Sequence, residues 1–156
     1  AGGKNFLCVG ESCSIAGAVI AMIDTKIIIG ADGMWSDGIQ VQGTDSHGIV
    51  DLDTMSITNG GATSITFKRH AWVGRKVTVT KNVTIGEGAV IGTGAIVTRS
   101  IAAACVAAGV PAKVIRRRIS WSRRLTAIAP REQRDLFALR GHLDELHATS
   151  AEDSVG

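Results

Sequence analysis

The chain has 156 residues, enough for one domain with a core, yet only 4% are aromatic and none is Tyr although 45% are hydrophobic. Seventeen Lys and Arg against fourteen Asp and Glu leave a net charge of +3, and with no reading element or stacking aromatics beside the basic residues this speaks against a nucleic-acid partner. No apolar run is long enough to span a membrane, no signal-like segment is present, and three cysteines (Cys8, Cys13, Cys105) without a zinc spacing read as small core residues of a reduced, cytoplasmic protein.

In chain order, residues 5–26 scan in sixes that begin at Val9, Ile15 and Ala21. The triplet Ile27-Ile28-Ile29 shifts the frame by two, and new blocks start at Ile29, Trp35 and Val41. Residues 47–64 have no period and end polar and Gly-rich, so they read as an insertion that projects from a repetitive wall. From Phe67 the repeat is strict. Phe67, Val73, Val79, Ile85, Ile91 and Val97 recur every six residues, and four places after each come Ala71, Val77, Val83, Ala89, Ala95 and Ile101. Helices repeat near 3.6 and strands near 2, so a period of six predicts an all-β solenoid of short strands with equivalent side chains stacked in columns. Such a narrow prism packs Val, Ile, Ala and Gly, and the nineteen glycines suit corners where φ is positive. A large ring is not expected inside it, which puts Trp72 on the outer wall.

Residues 98–112 read as irregular, with Pro111 unable to donate to a ladder. Lys113 to Trp121 reads as a last strand-like tail. Beyond Pro130 the period becomes helical, with Leu136, Leu139, Leu143 and Leu146 on one face, and a helix is predicted over about 131–147. Its apolar stripe is expected to cap the open end of the solenoid or to pack on a neighbouring subunit. Gly141 inside it weakens the helix by up to about 1 kcal/mol. Residues 149–156 read as disordered. The chain thus divides into a solenoid domain over 1–121 and a C-terminal extension over 122–156, and because it starts mid-pattern without Met, residues upstream of Ala1 are expected.

The stretch from Ile85 to Arg99 reads Ile-Gly-Glu-Gly-Ala-Val-Ile-Gly-Thr-Gly-Ala-Ile-Val-Thr-Arg, and Ala108 to Arg116 reads Ala-Gly-Val-Pro-Ala-Lys-Val-Ile-Arg. These blocks resemble the hexapeptide-repeat acyltransferases, and most of all the sugar O-acetyltransferases of galactoside, maltose and polysaccharide type. The resemblance covers roughly residues 9–121. It implies a left-handed parallel β-helix of triangular section, three blocks to a coil, acetyl-CoA as co-substrate, and a homotrimer with active sites between chains.

Transfer of an acyl group from a thioester to a hydroxyl needs a base, and imidazole has a suitable pKa. His47 opens the insertion, in Thr44-Asp-Ser-His-Gly-Ile-Val-Asp51, with Asp45 and Asp51 near enough in sequence to hold its second nitrogen. By itself a loop histidine reads equally as ordinary surface. The resemblance puts the general base in a Thr-x-x-His-Pro stretch just before such a loop, which is where His47 falls, with Gly48 replacing the Pro. By the same resemblance, His70-Ala-Trp-Val-Gly74 is similar to the family's His-Val-Trp-Ile-Gly stretch, which puts His70 near the acceptor, though it reads equally as an outward polar residue on a coil. The resemblance also has Trp72 flank an acceptor sugar or the pantetheine arm, the alternative being plain subunit packing. Gly74 and Arg75 map to the stretch whose backbone amide meets the thioester. Arg75 stands where a small residue is usual, and either pairs with a coenzyme phosphate or narrows the channel. Gly92, Thr93 and Gly94 supply the small-residue groove a thin pantetheine needs. Thr98-Arg99 matches a coenzyme-contacting Thr-Lys pair, Ala108 an adenine pocket, and Lys113 and Arg116 the residues that meet phosphates. Asp24 falls where the galactoside type has an acceptor-contacting acid, and reads otherwise as an exposed turn carboxylate.

From Lys113 to Arg140 nine basic residues stand against two acids. Such a run is either a solvated face or a contact for an acidic polysaccharide or an anionic membrane surface. No metal is expected. Three other functions compete with this one: N-acetylation of an amino-sugar, a non-catalytic trimeric scaffold, and a zinc carbonic anhydrase, the last short of a third coil histidine.

Overall fold

The computed structural model describes residues 3–152, with side chains as far as residue 146. The first coil is β1 (Phe6–Val9), β2 (Ser14–Ile15) and β3 (Ala18–Ala21); the second is β4 (Thr25–Ile29), β5 (Met34–Trp35) and β6 (Ile39–Gln42). A loop with a small hairpin, β7 (Val50–Asp51) and β8 (Ser56–Ile57), intervenes. The third coil is β9 (Thr63–Phe67), β10 (Trp72–Val73) and β11 (Thr78–Thr80), and the fourth is β12 (Val83–Ile85), β13 (Val90–Ile91) and β14 (Ile96–Val97). After Ile101, which bridges to Ile85, come β15 (Cys105–Ala108), β16 (Lys113–Arg117) and the helix α1 (Pro130–Glu152).

Each strand pairs in parallel with its counterpart one coil away, so the chain builds three parallel sheets in rotation. Face one is β1-β4-β9-β12, face two begins β2-β5-β10-β13-β15, and face three is β3-β6-β11-β14. Between the regular coils the register advances by three hexads, as in Trp72 with Val90 and Thr78 with Ile96. Among the described strands, β16 and the β7–β8 hairpin alone run antiparallel, β16 turning back on β15.

The two columns expected from the period are the core. Phe67, Val73, Val79, Ile85, Ile91 and Val97, with Ala71, Val77, Val83, Ala89, Ala95 and Ile101, are all buried. Burying each large aliphatic there contributes roughly 1.5–3 kcal/mol. At the first coil Phe6, Leu7, Val9 and Ile15 are about half exposed, because no coil among the described residues stacks above them.

Four features depart from the sequence reading. Ala21 pairs with Gln42, and it is Ile20 that stands in the column of Val41. Trp35 lies inside the prism, 2% exposed, with its ring 4.4 Å from that of Phe67 one coil below and Ile15 in register above it. Residues 98–112 are not irregular throughout. Cys105–Ala108 is a strand on β13, with Cys105 and Ala107 buried, and the register there is two residues shorter than a full coil. Small inward residues and a shifted frame hid it. Finally, positive φ at the corners falls mostly on other residues, including Ser12, Asp32, His70, Lys76, Asn82 and Ala104. Several glycines answer a different need: a Cβ on Gly30 would come within 2.6 Å of Arg69 N, and one on Gly74 within 2.7 Å of Ile91 O. They let one coil lie close on the next.

The insertion keeps its place, but Thr63 and Ser64 already belong to β9. The strand-like tail stops at Arg117. The helix extends at both ends beyond 131–147, and residues 149–152 continue it, whereas 153–156, also expected to be disordered, lie outside the described residues. It caps no coil end: Leu139 is buried, 2.6 Å from where a Cβ on Gly88 would stand, and Asp135 pairs with Arg69. The helix therefore lies along the prism edge between faces one and two. No helix among the described residues is long and apolar enough to cross a membrane.

Candidate functional site

The three edges of the prism carry different chemistry. The first edge, between faces one and two, is closed by the segment after β16. Trp121 is 6% exposed and stacks on the His70 ring, with centroids 4.2 Å apart and planes 6° from parallel. Its Nε1–H donates to the His70 carbonyl at 2.8 Å, and the Trp121 carbonyl lies 3.0 Å from His70 Nε2. His70 Nδ1 is 2.6 Å from Asp32 Oδ2, while Arg123 donates to Asp32 Oδ1 at 2.9 Å. Burial pushes the Asp32 carboxyl up, but the bonds from Arg123 and His70 and their charges outweigh it and hold the group below its ordinary value. His70, expected at the acceptor, has its ring covered and both nitrogens engaged. It fastens the tail to the coils.

Trp72 does stand on the outer wall, beside the buried Val73. Its ring centre is 6.1 Å from that of Trp121, and its Nε1 is buried with no hydrogen-bond partner. The tail thus shields one side of it.

The second edge, between faces two and three, gathers most of the residues expected at the coenzyme. Gly74, Arg75, Gly92 and Thr93 lie there, and a Cβ on Gly92 would stand 3.0 Å from that of Ala108. A Cβ on Gly94 would meet nothing within 4 Å, so the corner is open at that position. Lys113 and Arg116 are exposed on β16, paired with Ala108 and Val106. Gly74 and Arg75 each make a bond within the coils. The Gly74 amide donates to the Ile91 carbonyl at 2.8 Å. Arg75 Nε donates to Asp37 Oδ1 at 2.6 Å. That bond keeps the Asp37 carboxyl below its ordinary range and draws the guanidinium along its own wall.

The third edge, between faces three and one, carries the loop. Its neck is a knot of three residues. Thr25 and Thr63 hydroxyls lie 2.9 Å apart and both donate to the Gly43 carbonyl. Beyond the neck His47 is exposed, and among the described residues none is hydrogen-bonded to its ring. The two carboxylates expected to orient it do other things. Asp45 Oδ2 accepts from Lys81 Nζ at 2.5 Å and from Asn59 Nδ2 at 2.7 Å, and these bonds hold its carboxyl below the usual range. Asp51 Oδ1 accepts the amides of Asp53 and Thr54, both at 2.9 Å, and closes the β7–β8 turn; those same donors lower its pKa. Asp24 sits on this edge one coil above the loop, where its Oδ1 accepts the Lys4 amide at 3.2 Å. Thr98 and Arg99 are exposed on the same edge two coils below.

Three residues escaped the sequence reading. Asn59 and Lys81 organise the loop, but one lies in a polar Gly-rich run and the other occupies an ordinary hexad. Trp121 sits where no period speaks. Nothing local distinguishes them.

Parallel coils of hexads with an exposed histidine on a single long loop define a hexapeptide-repeat protein. No family model matches the chain. A polysialic acid O-acetyltransferase of Escherichia coli O1:K1 / APEC is 43% identical over 108 residues, which are 69% of this chain and 35% of that protein. The crystal structure of the polySia-specific acetyltransferase NeuO is matched with a TM-score of 0.81 at 32% identity, over 89% of this chain and 64% of that one. The polysialic acid O-acetyltransferase OatWY is matched with a TM-score of 0.72 at 28% identity, over 86% and 69%. By sequence and by fold the chain belongs to the hexapeptide-repeat acyltransferases. It spans about a third of the curated relative and under two thirds of the NeuO chain.

Proposed function

We propose that this chain is the coiled part of an acetyl-CoA-dependent O-acetyltransferase that acts on a hydroxyl of a sugar or polysaccharide, with His47 as general base. The observation that carries the reading is the 43% identity over 108 residues to a polysialic acid O-acetyltransferase. The exposed His47 on the third edge supplies the chemistry such a transfer needs. An imidazole nitrogen of His47 takes the acceptor's proton as its oxygen attacks the thioester carbonyl carbon. The tetrahedral intermediate expels the coenzyme thiolate, which recovers the proton from the imidazolium, so no acyl-enzyme forms. The Arg75 amide is the available donor to the developing oxyanion.

His47 and most of the coenzyme-type residues occupy different edges of one prism. A complete site on this reading joins the third edge of one chain to the second edge of another, in keeping with the homotrimer that the resemblance implies. Left-handed coiling, a domain division near residue 121 and a cytoplasmic location are part of the same proposal. An acidic acceptor would suit the exposed Arg116 and Arg124.

The test is acetyl transfer from labelled acetyl-CoA to a panel of sugars and glycans. His47→Ala is expected to lower turnover by about 10²–10⁴-fold with donor binding unchanged. Near-normal turnover in that variant removes His47 from the role.

A further inference from the structure

We infer that Lys81 and Asn59 are positioning residues that bolt the His47 segment to the rigid coils, an inference that rests on the reading of His47 as the base. The segment needs such a bolt. Residues 45–50 are all exposed, and a segment held by few buried contacts opens readily. Effective base catalysis, by contrast, requires the imidazole within about 0.5 Å of its working place.

The side chain of Asn59 spans that segment. Its Nδ2 donates to Asp45 Oδ2 at 2.7 Å and to the His47 carbonyl at 2.9 Å, and its Oδ1 accepts the Ile49 amide at 2.7 Å. Residues on both sides of His47, and its own backbone, are tied to one amide group. Within the loop alone this would be a floating brace. Lys81 fixes it: it sits at the corner between β11 and β12, its Nζ donates to Asp45 Oδ2 and to the Asn59 carbonyl, and its side chain is only 21% exposed. Asp45 is thereby the shared acceptor of loop and wall, and it acts on His47 through the backbone.

The expected result is that Lys81→Met and Asn59→Ala each lower kcat by about ten- to a hundred-fold, leaving the donor KM and the melting temperature within error. Lys81→Arg should restore most of the rate, since the pair needs a cation at that corner. In a His47→Ala background, adding Lys81→Met should cause no further loss, because Lys81 works through the residue already removed. Turnover at the wild-type level in Lys81→Met and Asn59→Ala, with His47→Ala inactive, overturns this inference and leaves the base intact. A loss of rate that tracks a fallen melting temperature, a failure of Lys81→Arg to rescue, or a further loss on the His47→Ala background also overturns it. Full activity in His47→Ala instead sinks the reading beneath it.

Discussion

Trp121→Ala tests how the C-terminal segment is held. The indole is buried on the first edge, stacks on His70, lies near Trp72 and donates to the His70 carbonyl. Truncating a buried Trp to Ala lowers stability by about 3–5 kcal/mol. Of this, roughly 1 kcal/mol belongs to the N–H bond and about 0.5–1.5 kcal/mol to ring stacking. The coils keep their own ladders and columns, so the damage should be local: residues 118–135 should lift from the edge. Limited trypsin digestion reads this directly, since Arg123, Arg124 and Arg131 lie in that stretch. The variant should be cut there many times faster than wild type while its β-sheet circular dichroism is kept. Trp121→Phe, which keeps a ring but loses the donor, should fall between the two. Equal cleavage rates in wild type and Trp121→Ala would refute the argument that this ring anchors the tail.

The same edge should respond to acid. Asp32 has a lowered pKa in the folded chain, so the stability it contributes is present above its ordinary carboxylate pKa and is lost as pH falls through the lower folded value. Trypsin does not work in acid, so a pepsin digest should show residues 118–135 progressively released as pH falls below about 4. In Asp32→Asn a trypsin digest at neutral pH should already show that release; wild-type cleavage that does not change with pH, or an Asp32→Asn chain as resistant as wild type, would contradict it. At the neck of the loop, Gly43→Ala should destabilise by about 1–3 kcal/mol in urea titrations, because the new Cβ would press on Thr25 and lie 2.8 Å from the Ala21 carbonyl. An unchanged midpoint would mean that the neck yields where it is described as tight.

The strict hexads from Phe67 to Val97 settled in advance which side chains fill the prism, because a coil that stacks on itself repeats each environment at every turn. His47 was equally readable, as the one histidine at the head of the one long break in the period. The tail and the loop braces were not. The contact of Trp121 with His70 spans 51 residues and that of Lys81 with Asp45 spans 36, and no local pattern encodes a partner so distant. Trp35 inside the prism makes the same point, since the ring it packs on, Phe67, belongs to another coil. Periodicity determined the wall; the meeting of distant corners, which only the wound chain brings side by side, decided where His70 is spent, what Asp45 holds, and on which edge His47 is displayed.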